Sequence, residues 1–192
     1  TYTVTVQYLD KNGEPLATSQ TFSVVYGGSL TVEARTISGY AADATTRTLT
    51  NVTGDAIVKF TYTPNTYKIT VICKDTDGRE IRRETVDAAY GSSVTVTAPT
   101  IKGYTSPLAK TKTFDKIIGN ETCEFVYTAQ SETLTIRYVD EDGTDIAPKF
   151  TKEYKYGDKV SVPSPVVEGY TPEFATYTID KYDGQTEVKL VY

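Results

Sequence analysis

The sequence predicts a mostly β protein built from three tandem copies of one small domain, and three observations carry that expectation. The same phrase recurs at a spacing of 65 residues: VQYLDKNGEPL from Val6, VICKDTDGREI from Val71 and IRYVDEDGTDI from Ile136. Each phrase opens on alternating residue character rich in Val, Thr and Tyr, the pattern of a half-buried strand. No window carries a long apolar stripe at helical spacing, so helix is expected to be short or absent. A period this long, repeated in order, marks a tandem array and sets the architecture before any local reading does.

The elements follow in order within each copy. Val4, Val6 and Tyr8 alternate with Thr3, Thr5 and Gln7, and Leu134, Ile136 and Tyr138 repeat the apolar face in the third copy. An Asp-x-x-Gly then reads as a hairpin turn (Asp10 to Gly13, Asp75 to Gly78, Asp140 to Gly143). The Asp side chain accepts backbone N–H bonds there, and Gly supplies a positive φ. A second strand is centred on Leu16, Ile81 and Ile146. A Tyr-Gly pair (Tyr26, Tyr90, Tyr156) starts a third strand and a Gly-Tyr pair (Tyr40, Tyr104, Tyr170) ends it. A polar stretch leads to the closing strand, where Val58, Phe60 and Tyr62 are expected to face inward. The copies are placed at residues 1–63, 64–128 and 129–192. Their linkers, TPNT at 63–66 and TAQSET at 128–133, are short and restrict neighbouring copies more than a Gly/Ser tether would, which predicts an elongated, semi-rigid rod.

Composition narrows the function classes. Domains of this size bury only ~60% of their unfolded surface, so each copy is expected to be modestly stable and to lean on its neighbours. The chain has no histidine, which weakens most acid–base and metal chemistry at neutral pH. Its net charge of −5 divides as +4 −5, +9 −8 and +7 −12 over the three copies, so a nucleic-acid partner is not expected. No stretch approaches 18 consecutive apolar residues, and no signal peptide or lipidation motif is present; direct membrane insertion is not expected. The chain begins and ends inside the repeat rhythm, which reads as a monomeric fragment of a longer protein whose export and anchoring signals lie elsewhere.

Two local questions arise. The run DEDGTD at 140–145 resembles the start of a calcium-binding loop, but the twelfth position counted from Asp140 is Thr151 where such a loop needs a bidentate Glu. A turn is the expected reading, with no metal and no cofactor. Cys73 stands where the outer copies have Tyr8 and Tyr138, and Cys123 where they have Val58 and Val188. Both alternate onto the inward face of the first and last strands, so a cross-strand disulfide between Cys73 and Cys123 is expected if those strands are neighbours, with two buried thiols as the alternative. No enzyme is expected: no histidine activates a Ser or Cys, and the carboxylates fall in turns or on outward positions. A Lys–Asn backbone cross-link of the kind found in some bacterial surface domains stays open at this stage.

The ordered set Tyr-x-Asp-x-x-Gly, Tyr-Gly, Gly-Tyr and closing Val-x-Phe/Leu-x-Tyr resembles the MucBP (mucin-binding protein) repeats of Gram-positive cell-surface proteins over nearly the whole chain. Cys73 departs from it at the first tyrosine. The resemblance implies a ubiquitin-like β-grasp fold, extracellular display on a cell-wall-anchored protein, and adhesion to mucin-type glycans or host surface glycoproteins. Of the 16 tyrosines, 13 recur at equivalent positions and read as scaffold. The other three, Tyr154, Tyr177 and Tyr182, are the expected sugar-stacking candidates. For acidic glycans the middle copy offers Arg79, Arg82 and Arg83 with Lys110, Lys112 and Lys116, although Glu80 and Glu84 interleave with the arginines. Two functions follow: an adhesive module gaining avidity from repetition, or a stalk that projects a separate adhesive domain.

Overall fold

A computed structural model describes all 192 residues, and it contains strands and turns but no helix. No helix long and apolar enough to cross a membrane is therefore present. The first copy comprises β1 (Tyr2–Asp10), β2 (Pro15–Val24), β3 (Gly28–Glu33), β4 (Tyr40–Ala42), β5 (Thr46–Val52) and β6 (Ala56–Pro64). The middle copy comprises β7 (Thr66–Asp75), β8 (Glu80–Ala89), β9 (Val94–Thr97), β10 (Tyr104–Thr105), β11 (Thr111–Phe114) and β12 (Glu121–Ala129). The third comprises β13 (Ser131–Val139), β14 (Asp145–Lys155), β15 (Val160–Pro163), β16 (Thr176–Ile179) and β17 (Glu187–Val191).

One topology recurs. The main sheet of the first copy runs β2-β1-β6-β4, with β1 antiparallel to β2 and parallel to β6. The middle sheet runs β10-β12-β7-β8 and the third β14-β13-β17. A two-stranded sheet accompanies each: β3-β5, β11-β9 and β15-β16. The stretch expected as a polar connection is thus a strand. Thr46–Val52 pairs antiparallel with β3 because its threonines tolerate both water and an extended backbone.

Alternation on the first and last strands builds the core. Val4, Val6 and Tyr8 are at most 1% exposed, and Val58, Phe60 and Tyr62 at most 5%, so the period-two pattern places one face of each strand inside. Each such side chain contributes about 1.5–3 kcal/mol by leaving water. The closing tyrosine is tied down the same way in every copy. Tyr62 Oη donates to the Arg35 carbonyl at 2.6 Å, Tyr127 Oη to Pro99 at 2.6 Å and Tyr192 Oη to Pro165 at 2.9 Å.

Two compact units form, each taking one outer copy with part of the middle one. The first is Thr1–Thr70, Thr85–Thr95 and Thr113–Cys123; the second is Val71–Glu84, Val96–Lys112 and Glu124–Tyr192.

The expected disulfide is corrected. Cys73 and Cys123 are buried thiols with no bond between them. The first copy shows the reason, since Val6 lies opposite Val58 on the parallel ladder and Tyr8 lies opposite Phe60. Cysteines at the Tyr8 and Val58 positions are therefore two residues out of register. That offset puts their Cα atoms about 8 Å apart, beyond the roughly 7 Å that a disulfide spans.

Candidate functional site

The hairpin turns come first, because they hold the acidic runs. Asp10 Oδ1 accepts the N–H groups of Asn12 and Glu14, both at 2.8 Å. Asp75 Oδ1 accepts those of Asp77 and Arg79 at 3.0 and 2.9 Å, and Asp140 Oδ1 those of Asp142 and Thr144 at 3.1 and 2.8 Å. The Asp side chain thus caps its own turn, and the glycine three residues on takes φ of +82 to +88°. The bond from the Glu14 N–H is the largest influence on the Asp10 carboxyl and holds it below its ordinary pKa.

Asp75 differs from its two counterparts in being buried, at 2% exposure. Arg79 Nε donates to its Oδ2 at 2.7 Å. Burial opposes the charge on Asp75, but the Arg79 N–H, the Arg79 guanidinium and the Asp77 N–H outweigh it and hold the carboxyl below its usual value. Arg79 then reaches forward: Nη1 donates to the Gly157 carbonyl at 2.8 Å, and Nη2 lies 3.7 Å from Asp158 Oδ1.

The expected cationic cluster is therefore not a set of open guanidinium groups. Arg79 serves its turn and the third copy. Arg83 is bidentate to Glu80 at 2.9 and 2.7 Å, and Arg82 donates through Nε and Nη2 to Glu84 at 3.0 and 2.7 Å. Lys110, Lys112 and Lys116 lie on exposed backbone positions.

The tyrosine candidates are also displaced from the role expected of them. Tyr182 is 1% exposed and Tyr154 is 8% exposed, so neither presents an open ring face to a sugar. Tyr177 is half-buried against the same core. The physical reason is positional: Tyr154 occupies the place of Val24 and Ala88, and Tyr182 that of Val52 and Ile117, all buried. Burial raises the Tyr182 and Tyr177 hydroxyl pKa values. An open apolar groove of about 490 Å³ does occur in the third copy, lined by Pro148, Lys149, Phe150, Pro163 and Pro165.

What the recurring tyrosines build is a joint. The Tyr90 ring lies on the backbone of Gly39, where a Cβ would fall inside the ring, and packs edge-on to Tyr40 at 5.6 Å between centroids. Tyr156 lies on Gly103 in the same way and packs on Tyr104 at 6.3 Å. One linker residue stitches each joint. The Asn65 N–H donates to the Gly39 carbonyl and its carbonyl accepts the Tyr90 N–H, both at 2.8 Å. Gln130 does the same for Gly103 and Tyr156, at 2.8 and 2.9 Å. The Gly-Tyr motif is thus a seat, and the Tyr-Gly motif of the next copy is the plug that fills it. Recurrence marked these tyrosines as structural, but the pairing of one motif with the other across a linker is a tertiary fact.

Comparison with known proteins follows from this geometry. Residues 3–66, 68–135 and 133–192 each match the MucBP domain. Internalin J of Listeria monocytogenes is 32% identical over 180 residues, covering 88% of this chain and 19% of that protein. Internalin I of the same species is 25% identical over 175 residues, covering 88% of this chain and 10% of that protein. The chain thus spans a fifth or less of these relatives. Among solved structures, the Bacillus anthracis TIE protein covers 100% of this chain and 50% of its own, with 13% identity and a TM-score of 0.46.

Proposed function

This chain belongs to the MucBP family, whose domain it carries three times in tandem, and from that premise we propose that it is a non-catalytic repeat region of a bacterial surface adhesin, acting as a jointed spacer. In the longer protein it is displayed outside a Gram-positive cell, anchored to the wall through other segments. The observation that carries the spacer reading is the pair of tyrosine-on-glycine joints. The residues that recur most faithfully hold each copy to the next, while Tyr154 and Tyr182 are buried and Arg79, Arg82 and Arg83 are each paired with a carboxylate. A non-catalytic role is supported by the absence of histidine from the sequence and by acidic turns that cap themselves. The mixed main sheet, with its first and last strands adjacent and parallel in the first and third copies, supports a β-grasp assignment.

A second reading is attachment to mucin-type glycans or host surface glycoproteins by the copies themselves. The groove beside Phe150 and Lys149 favours it, since an aromatic face next to a cation suits a sugar ring bearing an acid group. Binding of the 192-residue chain to immobilised mucin and to a glycan array separates the two. The spacer reading expects no saturable binding by folded protein at high micromolar concentration. Saturable binding that Phe150→Ala weakens at least several-fold would overturn it and place the ligand in the groove.

A further inference from the structure

The first and last strands of a copy are neighbours that run the same way. In the first copy β1 and β6 keep parallel register over seven consecutive pairs, from Val4 opposite Ala56 to Asp10 opposite Tyr62. In the third, β13 and β17 keep it over five, from Thr135 opposite Glu187 to Val139 opposite Val191. The copies are joined strand to strand: β6 ends at Pro64 and β7 begins at Thr66, while β12 ends at Ala129 and β13 begins at Ser131. Tension along the chain therefore enters a copy at the start of its first strand and leaves at the end of its last, with a single residue between one copy and the next.

Geometry decides what that tension meets. A pull on the start of one parallel strand and the end of its neighbour slides the two in opposite directions, so all the evenly spaced bonds of the ladder are loaded at once. A pull on the same end of both would instead peel the ladder open rung by rung. Side chains resist the slide as well. Val4, Val6 and Tyr8 share one buried core with Val58, Phe60 and Tyr62, and the Tyr8 ring stacks on Phe60 at 6.1 Å and meets Tyr62 edge-on at 6.4 Å. A one-residue slip would turn every one of these side chains to the other face. We propose that the first and third copies are shear clamps, which let the array carry tension without lengthening when the cell is pulled from the surface it is attached to. The inference rests on the spacer reading, because a spacer between the cell and its point of attachment lies in the path of the load. Forced unfolding is governed by the barrier to rupture rather than by equilibrium stability, so small domains of modest stability suit the task.

Single-molecule force spectroscopy on the 192-residue chain tests the clamp by changing only the point of pull. Held by its two ends, the chain is expected to give up the first copy in one high-force rupture that releases roughly 200 Å of chain. A handle at Lys11, an exposed residue in the turn after β1, instead loads β1 at the end that lies beside Tyr62. Pulled from Lys11 to the C-terminal end, the first copy is expected to open at a force several-fold lower, in an event shortened because residues 1–10 no longer contribute to it. The third copy, still loaded across its two ends, ruptures as before and shows in the same trace that the chain is folded. Equal rupture forces for the first copy from both points of pull would overturn the proposal, as would a third copy that opens at the low, peeling force. Failure of the spacer reading shows in the mucin and glycan binding described above and not in these traces, so the two failures are told apart.

Discussion

Asp75 shows how one position turns a generic turn residue into a structural one. Its counterparts Asp10 and Asp140 cap exposed turns, whereas Asp75 is buried and bonded to Arg79, which bonds in turn to Gly157. The folded carboxyl is held below the value of 3.8 that it has when unfolded. The unfolded chain therefore takes up the proton at higher pH than the folded one. The stabilisation is complete above the unfolded pKa and is lost as pH falls through the folded one. Asp75→Asn keeps an acceptor for the turn but removes the charge. It is expected to lose about 1–3 kcal/mol at neutral pH, and that loss should shrink toward zero below the folded pKa. Chemical denaturation at pH 7 and in a descending pH series measures both. The tyrosine candidates teach the complementary lesson at this scale. Tyr154 and Tyr182 stood apart because no other copy has tyrosine there, yet the aligned residues Val24, Ala88, Val52 and Ile117 are apolar. Burial was legible in those neighbours rather than in the tyrosines.

Among elements, the strands of the main sheets were the most legible, because alternation states which face is buried and the Asp-x-x-Gly turn states where the chain reverses. The strand at Thr46–Val52 was not, since its exposed threonines leave no apolar period to read. The joints pair a Gly-Tyr turn with a Tyr-Gly turn about fifty residues further on, and no local pattern connects them. Their contribution is separable from backbone strain. Gly103→Ala places a non-glycine residue at φ +81° and drives a methyl into the Tyr156 ring, while Gly143→Ala imposes the same strain at φ +82° with nothing within 4 Å. Strain alone costs about 1–2 kcal/mol. Displacing the tyrosine pair adds roughly 0.5–1.5 kcal/mol. Gly103→Ala is thus expected to destabilise more than Gly143→Ala, with the excess vanishing in a Tyr156→Ala background. Tyrosine fluorescence during denaturation reads it directly, because the chain has no tryptophan.

Across the whole molecule, the two joints share no residue. Gly39→Ala and Gly103→Ala are expected to be additive within about 0.5 kcal/mol when combined, as sites without shared partners are. A larger deviation in denaturant titrations would mean that the joints communicate through the middle copy. Arg79 makes the second joint the richer of the two, with an ionic link from the buried Asp75 to Asp158, whereas the first copy has Glu14 at the position of Arg79. The array therefore has copies of one design, with the Arg79 contacts to Gly157 and Asp158 added at the second joint.

By itself the sequence determined the repeat, the family, the β class, the buried faces of the first and last strands and the self-capping turns. All of these follow from local pattern and internal comparison. Tertiary structure alone decided the state of the cysteines, because a two-residue offset in parallel register cannot be read from either strand separately. It also decided which tyrosines are buried, which join copies and which stand open, because that depends on what lies opposite each ring: an apolar core, a glycine of the preceding copy, or solvent.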